Sequence, residues 1–327
     1  MAKVHGQSFF RGKMVEKFTV NTPYPVGPVH FYKKEYTDFS VLFDTGPNTE
    51  EAKNYIKNAV DFSRLKYVFL THCHVDHYGL GDYILKNSSA EIIMSKYDFL
   101  RYQYFDRRVG SFLELLAEIG LNDSEINSFK KVLNGFKNEA PFPENVVILE
   151  ESEDLLKELG IVYIRCPGHS QSDIVYLIDG YAVSGDVVLR NIFQTPLLDV
   201  DVDDFNKRFD NYAAFTKSIL KLKSIDYRVF LPGHRDFIDS IDERIIFYTD
   251  KLLNRMIGIK DYLKDYGIVY TLKKIVGAIE ENPLTAYLKL SEIFFINDLL
   301  GNISLLEDSL ERIGLSKLFK EKIEKVG

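Results

Sequence analysis

Only two cysteines, Cys73 and Cys166, occur in 327 residues, so disulfides do not organise this chain. No run approaches the roughly 18 apolar residues that a membrane span needs. The opening stretch, MAKVHGQSFFRGKMVEKF, is charged and lacks the apolar segment of a secretion signal. Positive charge is not in excess either: 41 Lys and Arg stand against 48 Asp and Glu, a net of -7. Phosphate contacts need Lys and Arg, so the balance argues against a nucleic-acid partner, although a local patch can override the total. Repeats and low-complexity linkers are absent. These absences leave a cytoplasmic enzyme with a small-molecule substrate and no membrane partner as the expectation.

What is present is an apolar share of 46% on a chain long enough for one large domain and a small one. Residues 39–43 (FSVLF), 67–71 (YVFLT) and 91–95 (EIIMS) read as buried strands, with helical spacing at 49–60. Strands alternating with helices indicate an α/β protein. The strand pattern returns at 146–149, 161–165, 174–178, 181–183 and 228–231. Between them, 97–140 has helical apolar spacing and is longer than an ordinary connection. After about residue 240 the strand signal stops, and 241–265, 271–281, 284–300 and 302–313 read as helices. The expected organisation is a catalytic domain over 1–240, carrying the 97–140 insertion as a lid, and a helical subdomain over 241–327.

Five of the seven histidines stand where apolar strands end. His72, His74, Asp76 and His77 follow YVFLT within six residues. In extended chain, residues i and i+2 point the same way, so His72 and His74 can converge on one ion. A turn after Val75 can bring Asp76 and His77 to a second. His169, Asp186 and His234 each end a further strand on a glycine-containing turn. Imidazole nitrogen and carboxylate oxygen are the usual ligands of catalytic zinc, with iron and manganese as alternatives. A lone histidine is more often a satisfied core residue; seven clustered ligand types at strand ends have little other use.

These residues carry a resemblance. THCHVDH, PGHS, SGD and PGH, in that order over residues 20–240, are similar to the motifs of the metallo-β-lactamase superfamily. The resemblance implies a four-layer αββα sandwich with the metals at one edge. It implies that His72, His74 and His169 bind one ion, that Asp76, His77 and His234 bind the other, and that Asp186 bridges. The DTGP turn matches as well, with Asp44 supporting the ligand loop from behind. Two divalent ions, zinc by default, would lower the pKa of a bridging water and so supply hydroxide. That hydroxide would cleave an ester, lactone or thioester, with Asp76 orienting it and passing on its proton.

Other branches resemble the chain less. The diiron flavoproteins usually have Glu where His74 stands. Tyr78-Gly79-Leu80 departs from the Gly-Gly of many glyoxalase II-like thioesterases. A mononuclear iron sulfur dioxygenase, a metal-dependent endoribonuclease or phosphodiesterase, and a degenerate binding module are the alternatives. The C-terminal segment resembles a degenerate winged helix, but its 13 basic and 14 acidic residues over 241–327 make a poor phosphate binder. Packing or a homodimer surface is its simpler role. In the insertion, Tyr97, Phe99, Tyr102, Tyr104 and Phe105 could line an apolar pocket, with Tyr102 a substrate contact. Arg101, Arg107 and Arg108 could meet an anionic group. Arg235 is a second substrate contact or the partner of Asp236. His5, His30 and the two cysteines read as structural.

Overall fold

Ten strands form two sheets that face each other in the computed structural model, which describes residues 15–227 and 229–325. His5 and most of the charged opening stretch lie outside the described residues. The first sheet holds β1 (Val15–Val20), β2 (Val29–Glu35), β3 (Ser40–Phe43), β4 (Leu65–Phe69), β5 (Glu91–Met94) and β6 (Val147–Ile148), side by side in chain order. Pairing is antiparallel from β1 to β3 and parallel from β3 to β6. The second sheet holds β7 (Val162–Arg165), β8 (Ile174–Ile178), β9 (Tyr181–Gly185) and β10 (Val229–Pro232), ordered β10-β9-β8-β7. Asp179 and Gly180, both at positive φ (50 and 84), join β8 to β9. That is the two-residue hairpin turn whose twist suits the flanking strands.

Alternation along the strands builds the layers. Val41 and Phe43 of β3 point between the sheets, where they meet Tyr176, Val183 and Leu231. Leu42 between them points outward, packing with Ile56 of α1 (Glu50–Ala59) and Ile84 of α3 (Gly81–Asn87). The short α2 (Val75–Tyr78) lies between those helices in the chain. On the far side, Val175, Ala182 and Phe230 pack against Leu222 of a helix over Asn211–Lys223. The order helix, sheet, sheet, helix is the expected αββα sandwich.

The insertion consists of α4 (Lys96–Gln103), α5 (Phe105–Glu118) and α6 (Asp123–Glu139). After α7 (Glu153–Leu159) and α8 (Asn211–Lys223), the chain ends in α9 (Ile241–Val276), α10 (Pro283–Gly301), α11 (Ile303–Arg312) and α12 (Lys320–Glu324). Insertion and C-terminal helices share one core: Phe112 and Phe129 pack with Leu252, Leu290 and Phe295. The Phe112 and Tyr287 rings lie 6.0 Å apart, and Lys273 pairs with buried Glu125 at 2.7 Å. One helical body therefore stands against one flank of the sandwich.

Several boundaries differ from the sequence reading. Residues 241–265 and 271–276 belong to one helix kinked at Gly267, whose φ of 77 glycine adopts without steric cost. Residues 279–281 form a separate 3-10 turn. No strand follows β10 among the described residues, so the C-terminal body lacks the wing of a winged helix. β6 is shorter than expected, and Leu149–Glu151 turns into a 3-10 helix. β4 ends at Phe69 and does not run into His72. Thr71 instead bridges the sheets, its carbonyl accepting from Ile174 N of β8 at 2.9 Å.

Candidate metal centre

Asp44, just after β3, organises the site from behind. Its φ of 62 is a left-handed conformation that Asp tolerates better than most residues. One carboxylate oxygen accepts from Thr71 N (2.8 Å); the other accepts from Thr71 Oγ1 (2.8 Å) and faces His77 Nδ1 (2.9 Å). His77 is thereby turned so that Nε2 points into the cluster. The Thr71 hydroxyl donates to Asp44 and accepts from His72 Nδ1 at 3.1 Å.

The other ligands are anchored in the same way. His169 Nδ1 donates to Thr195 O and His234 Nδ1 to Pro28 O, each at 2.8 Å. A carbonyl only accepts, so both rings carry their proton on Nδ1 and offer Nε2 inward. Asp186 and His234 stand at adjacent strand ends, because Gly233 N donates to Gly185 O at 2.7 Å. A bridge between Val29 and His234 ties this corner to the first sheet.

The result gathers all seven candidate ligands. His74 Nδ1 lies 2.9 Å from His72 Nε2 and 3.1 Å from His169 Nε2. His234 Nε2 is 3.3 Å from Asp76 Oδ2. Asp186 stands between the two groups, 3.5 Å from His77, 3.9 Å from His169 and 3.7 Å from His234. In each of the triads His72/His74/His169, His72/His77/Asp186 and Asp76/His77/His234, the ligand atoms lie within 4.8 Å of one another.

The donor set fits metal ions. Zinc–nitrogen bonds of 2.0–2.1 Å put the edge of a coordination tetrahedron at about 3.3 Å, close to the separations in the first triad. Buried His77 Nε2, His234 Nε2 and Asp186 Oδ1 have no hydrogen-bond partner among the described residues. Burying such groups unsatisfied is costly, and a shared cation removes the cost. Burial and the neighbouring imidazoles hold His72 and His74 well below the usual histidine range, so their nitrogens keep free lone pairs. At His77 burial pulls the other way, yet Asp186, Asp44 and Asp76 outweigh it and push the ring up to about 10. Burial likewise opposes the rise at His234, where Asp186 and Asp76 prevail. This half of the site attracts positive charge, which a bound cation could supply in place of protons.

Glycine is required where the backbone touches the ligands. A Cβ at Gly233 would lie 2.4 Å from His77 Cε1 and 2.7 Å from Asp186 Oδ1. Gly233→Ala is therefore expected to weaken metal binding by about 10–100-fold and to cost about 1–3 kcal/mol of stability. Chelator competition and a thermal melt measure the two effects; unchanged values in both would mean the ligands have room to move.

Of the two expected substrate contacts, Tyr102 is bonded within the protein, and Arg235 stands at the surface beside His234. Tyr102 donates its hydroxyl to Cys73 O at 3.1 Å and stacks on Phe142 at 4.1 Å, so it fastens α4 to the ligand loop. Arg235 is exposed, sits at a φ of 68 and makes no ion pair with Asp236; its carbonyl accepts from His30 Nε2 at 2.7 Å. Phe99 and Phe105 pack into apolar cores, while Tyr104 is exposed. Cys73 and Cys166 are buried free thiols, both pushed up by burial. Sequence reasoning missed Asp98 and Asp173, buried carboxylates beside the ligand loops. Burial first raises both to about 6. Ser172 Oγ donates to Asp98 at 2.6 Å, and Ser170 N donates to Asp173 at 2.7 Å. Their signal in the sequence was faint: each is a lone acid in an otherwise helical or polar stretch.

A family model described as the metallo-beta-lactamase superfamily matches residues 27–234 of this chain. A Bacillus subtilis protein named probable metallo-hydrolase YqjP is 26% identical over 286 residues, covering 84% of this chain and 83% of its own. A metallo-beta-lactamase family protein from Thermus thermophilus, TTHA1429, superposes with a TM-score of 0.68 at 18% identity, covering 89% of this chain and 94% of that one. A beta-lactamase domain protein from Burkholderia ambifaria gives 0.62 at 16% identity, covering 89% and 88%.

Proposed function

The chain belongs to the metallo-β-lactamase superfamily, and on that premise we propose that it is a binuclear metal-dependent hydrolase cleaving an ester, lactone or thioester of a small molecule. The observation that carries this reading is the single cluster formed by His72, His74, His169, Asp76, His77, His234 and Asp186. The name of the Bacillus relative agrees with it. Two divalent ions held there, zinc by default, would bring the pKa of coordinated water near neutrality and polarise a carbonyl.

The chain's own residues supply the rest. His77 and His234 hold the Asp76 carboxyl below the usual carboxylate range against the effect of burial, so it is ionised at neutral pH and can accept a hydrogen bond that orients a water. Asp44, Thr195 and Pro28 fix the ring orientations, so little reorganisation accompanies the reaction. Burial of His72, His77, Asp186 and His234 excludes water and favours a small substrate over a polymer. No described helix is long and apolar enough to cross a membrane. The two free thiols suit a reducing cytoplasm, which we take as the compartment.

The test is a hydrolysis panel of carboxylic esters, lactones, thioesters and phosphodiesters, using protein of measured metal content. About two metal equivalents per chain, mostly zinc, and turnover of a carbonyl substrate are expected. One iron with no second metal would favour the sulfur dioxygenase reading. Turnover of phosphodiesters alone, with salt-sensitive RNA binding, would favour the nuclease.

A further inference from the structure

The two groups of ligands are held from different sides. His77 and His234 are anchored by the sandwich itself, through Asp44 after β3 and the carbonyl of Pro28 before β2. The loops carrying His74 and His169 are gripped by the insertion as well.

The grip is made by α4. Residues i and i+4 of a helix share a face, so Asp98 and Tyr102 reach the same way. Tyr102 donates to Cys73 O at 3.1 Å, in the loop carrying His74. Asp98 accepts from Ser172 Oγ at 2.6 Å, in the loop carrying His169. Tyr97 meets the other end of that second loop, its ring 3.7 Å from the guanidinium of Arg165. Within the loop, Ser172 Oγ lies 3.2 Å from Ser170 Oγ, and Ser170 donates from N (2.7 Å) and Oγ to Asp173. Asp98, Ser172, Ser170 and Asp173 are all buried, and Ser170 follows His169 directly. A buried polar chain thus runs from the insertion to the backbone of a candidate ligand.

Burial raises the Asp98 carboxyl to about 6, while the Ser172 bond, Arg101 and the Cys73 backbone favour its charged form. Arg101, three positions on, therefore stabilises this carboxylate, and the bond from Ser172 is of the stronger, charge-assisted kind. Apolar contact would hold a helix on a loop at lower cost than a buried charge. What the carboxylate adds is direction. The separation it governs is that between His74 Nδ1 and His169 Nε2, 3.1 Å.

We propose that Asp98 is a positioning residue for the metal centre: acting through Ser172, it sets the His169 loop against the His74 loop. The insertion thereby tunes the affinity of the ion held by His72, His74 and His169 and leaves the ion held by Asp76, His77 and His234 nearly untouched. The proposal rests on the binuclear reading of the site and adds to it a role for the insertion.

The test is zinc affinity, measured by chelator competition on the full-length chain. Ser172→Ala removes the hydroxyl and leaves Asp98 beside Arg101. His234→Ala keeps the first triad complete, and His169→Ala keeps the group of Asp76, His77 and His234 complete. With His234→Ala, adding Ser172→Ala is expected to weaken zinc binding about tenfold, the low end for partners that orient ligands. With His169→Ala, the same addition should change it less than about twofold, the additivity expected of independent sites. Ser172→Thr keeps a hydroxyl and should restore most of the loss. Linkage makes the effect reciprocal. Zinc should therefore slow hydrogen exchange of the Lys96–Gln103 amides in the wild-type chain, a reading that needs no variant to fold. Equal losses at both sites, no loss at either, or exchange in α4 indifferent to zinc would overturn the proposal. Any of these with two zinc ions bound to the wild type removes the role of Asp98 and leaves the metal centre. A wild-type chain that binds no zinc removes both.

Discussion

Asp186→Ala is expected to lower hydrolysis by roughly 10³-fold, with metal content falling from about two equivalents per chain to one or fewer. The reason is its position between the two groups of ligands, 3.5 Å from His77, 3.9 Å from His169 and 3.7 Å from His234. Among the described residues no other carboxylate reaches into both groups. The fold should survive, because Asp186 Oδ1 holds no hydrogen bond that the substitution would break. Elemental analysis, initial rates and a thermal melt on the same preparation check all three points. A variant that keeps both metals and its turnover would show that Asp186 does not bridge.

Chelation is expected to lower the melting temperature on the order of 10 °C, and zinc to restore it. A ligand at a thousandfold excess over its dissociation constant stabilises the native state by about 4 kcal/mol. For a chain of this size each kcal/mol moves the midpoint by about 2–4 °C. Without a cation, imidazole nitrogens 2.9 and 3.1 Å apart face each other, and buried His77 Nε2 and His234 Nε2 lack partners. Scanning calorimetry with and without chelator measures the shift. A midpoint indifferent to both chelator and zinc would mean that the native state does not bind the metal.

Much of the architecture was legible because its strands are buried. A parallel strand covered on both faces is apolar throughout, and β3, β4 and β5 announced themselves that way. β1 was not recognised, since two successive exposed charges, Glu16 and Lys17, break the apolar alternation of this edge strand. α8 was missed for the opposite reason. It packs Tyr212 and Ile219 against the helical body and Leu222 against the second sheet, which smears its helical period. α7 has seven residues, about two turns, and gives too short a pattern to read. The kink in α9 looked like a helix end because glycine allows both a break and a bend.

The sequence by itself determined which residues are candidates to hold metal. His72, His74, Asp76, His77, His169, Asp186 and His234 are ligand types at strand ends, and strand ends are where a sheet presents side chains at one edge. Tertiary structure alone decided which groups meet, because the atoms that meet are far apart in the chain. His169 Nε2 reaches His74 Nδ1 across 95 positions, and His234 Nδ1 reaches Pro28 O across 206. The same holds for the three arginines of the insertion, which read alike in the sequence. Packing leaves Arg107 exposed over the Phe205 ring at 4.8 Å, pairs Arg108 with Asp199 at 2.8 Å, and sets Arg101 3.6 Å from that same carboxylate. Spacing along a chain carries no information about a partner some ninety residues away; only the packing of the insertion against the segment around Asp199 makes one arginine differ from the next.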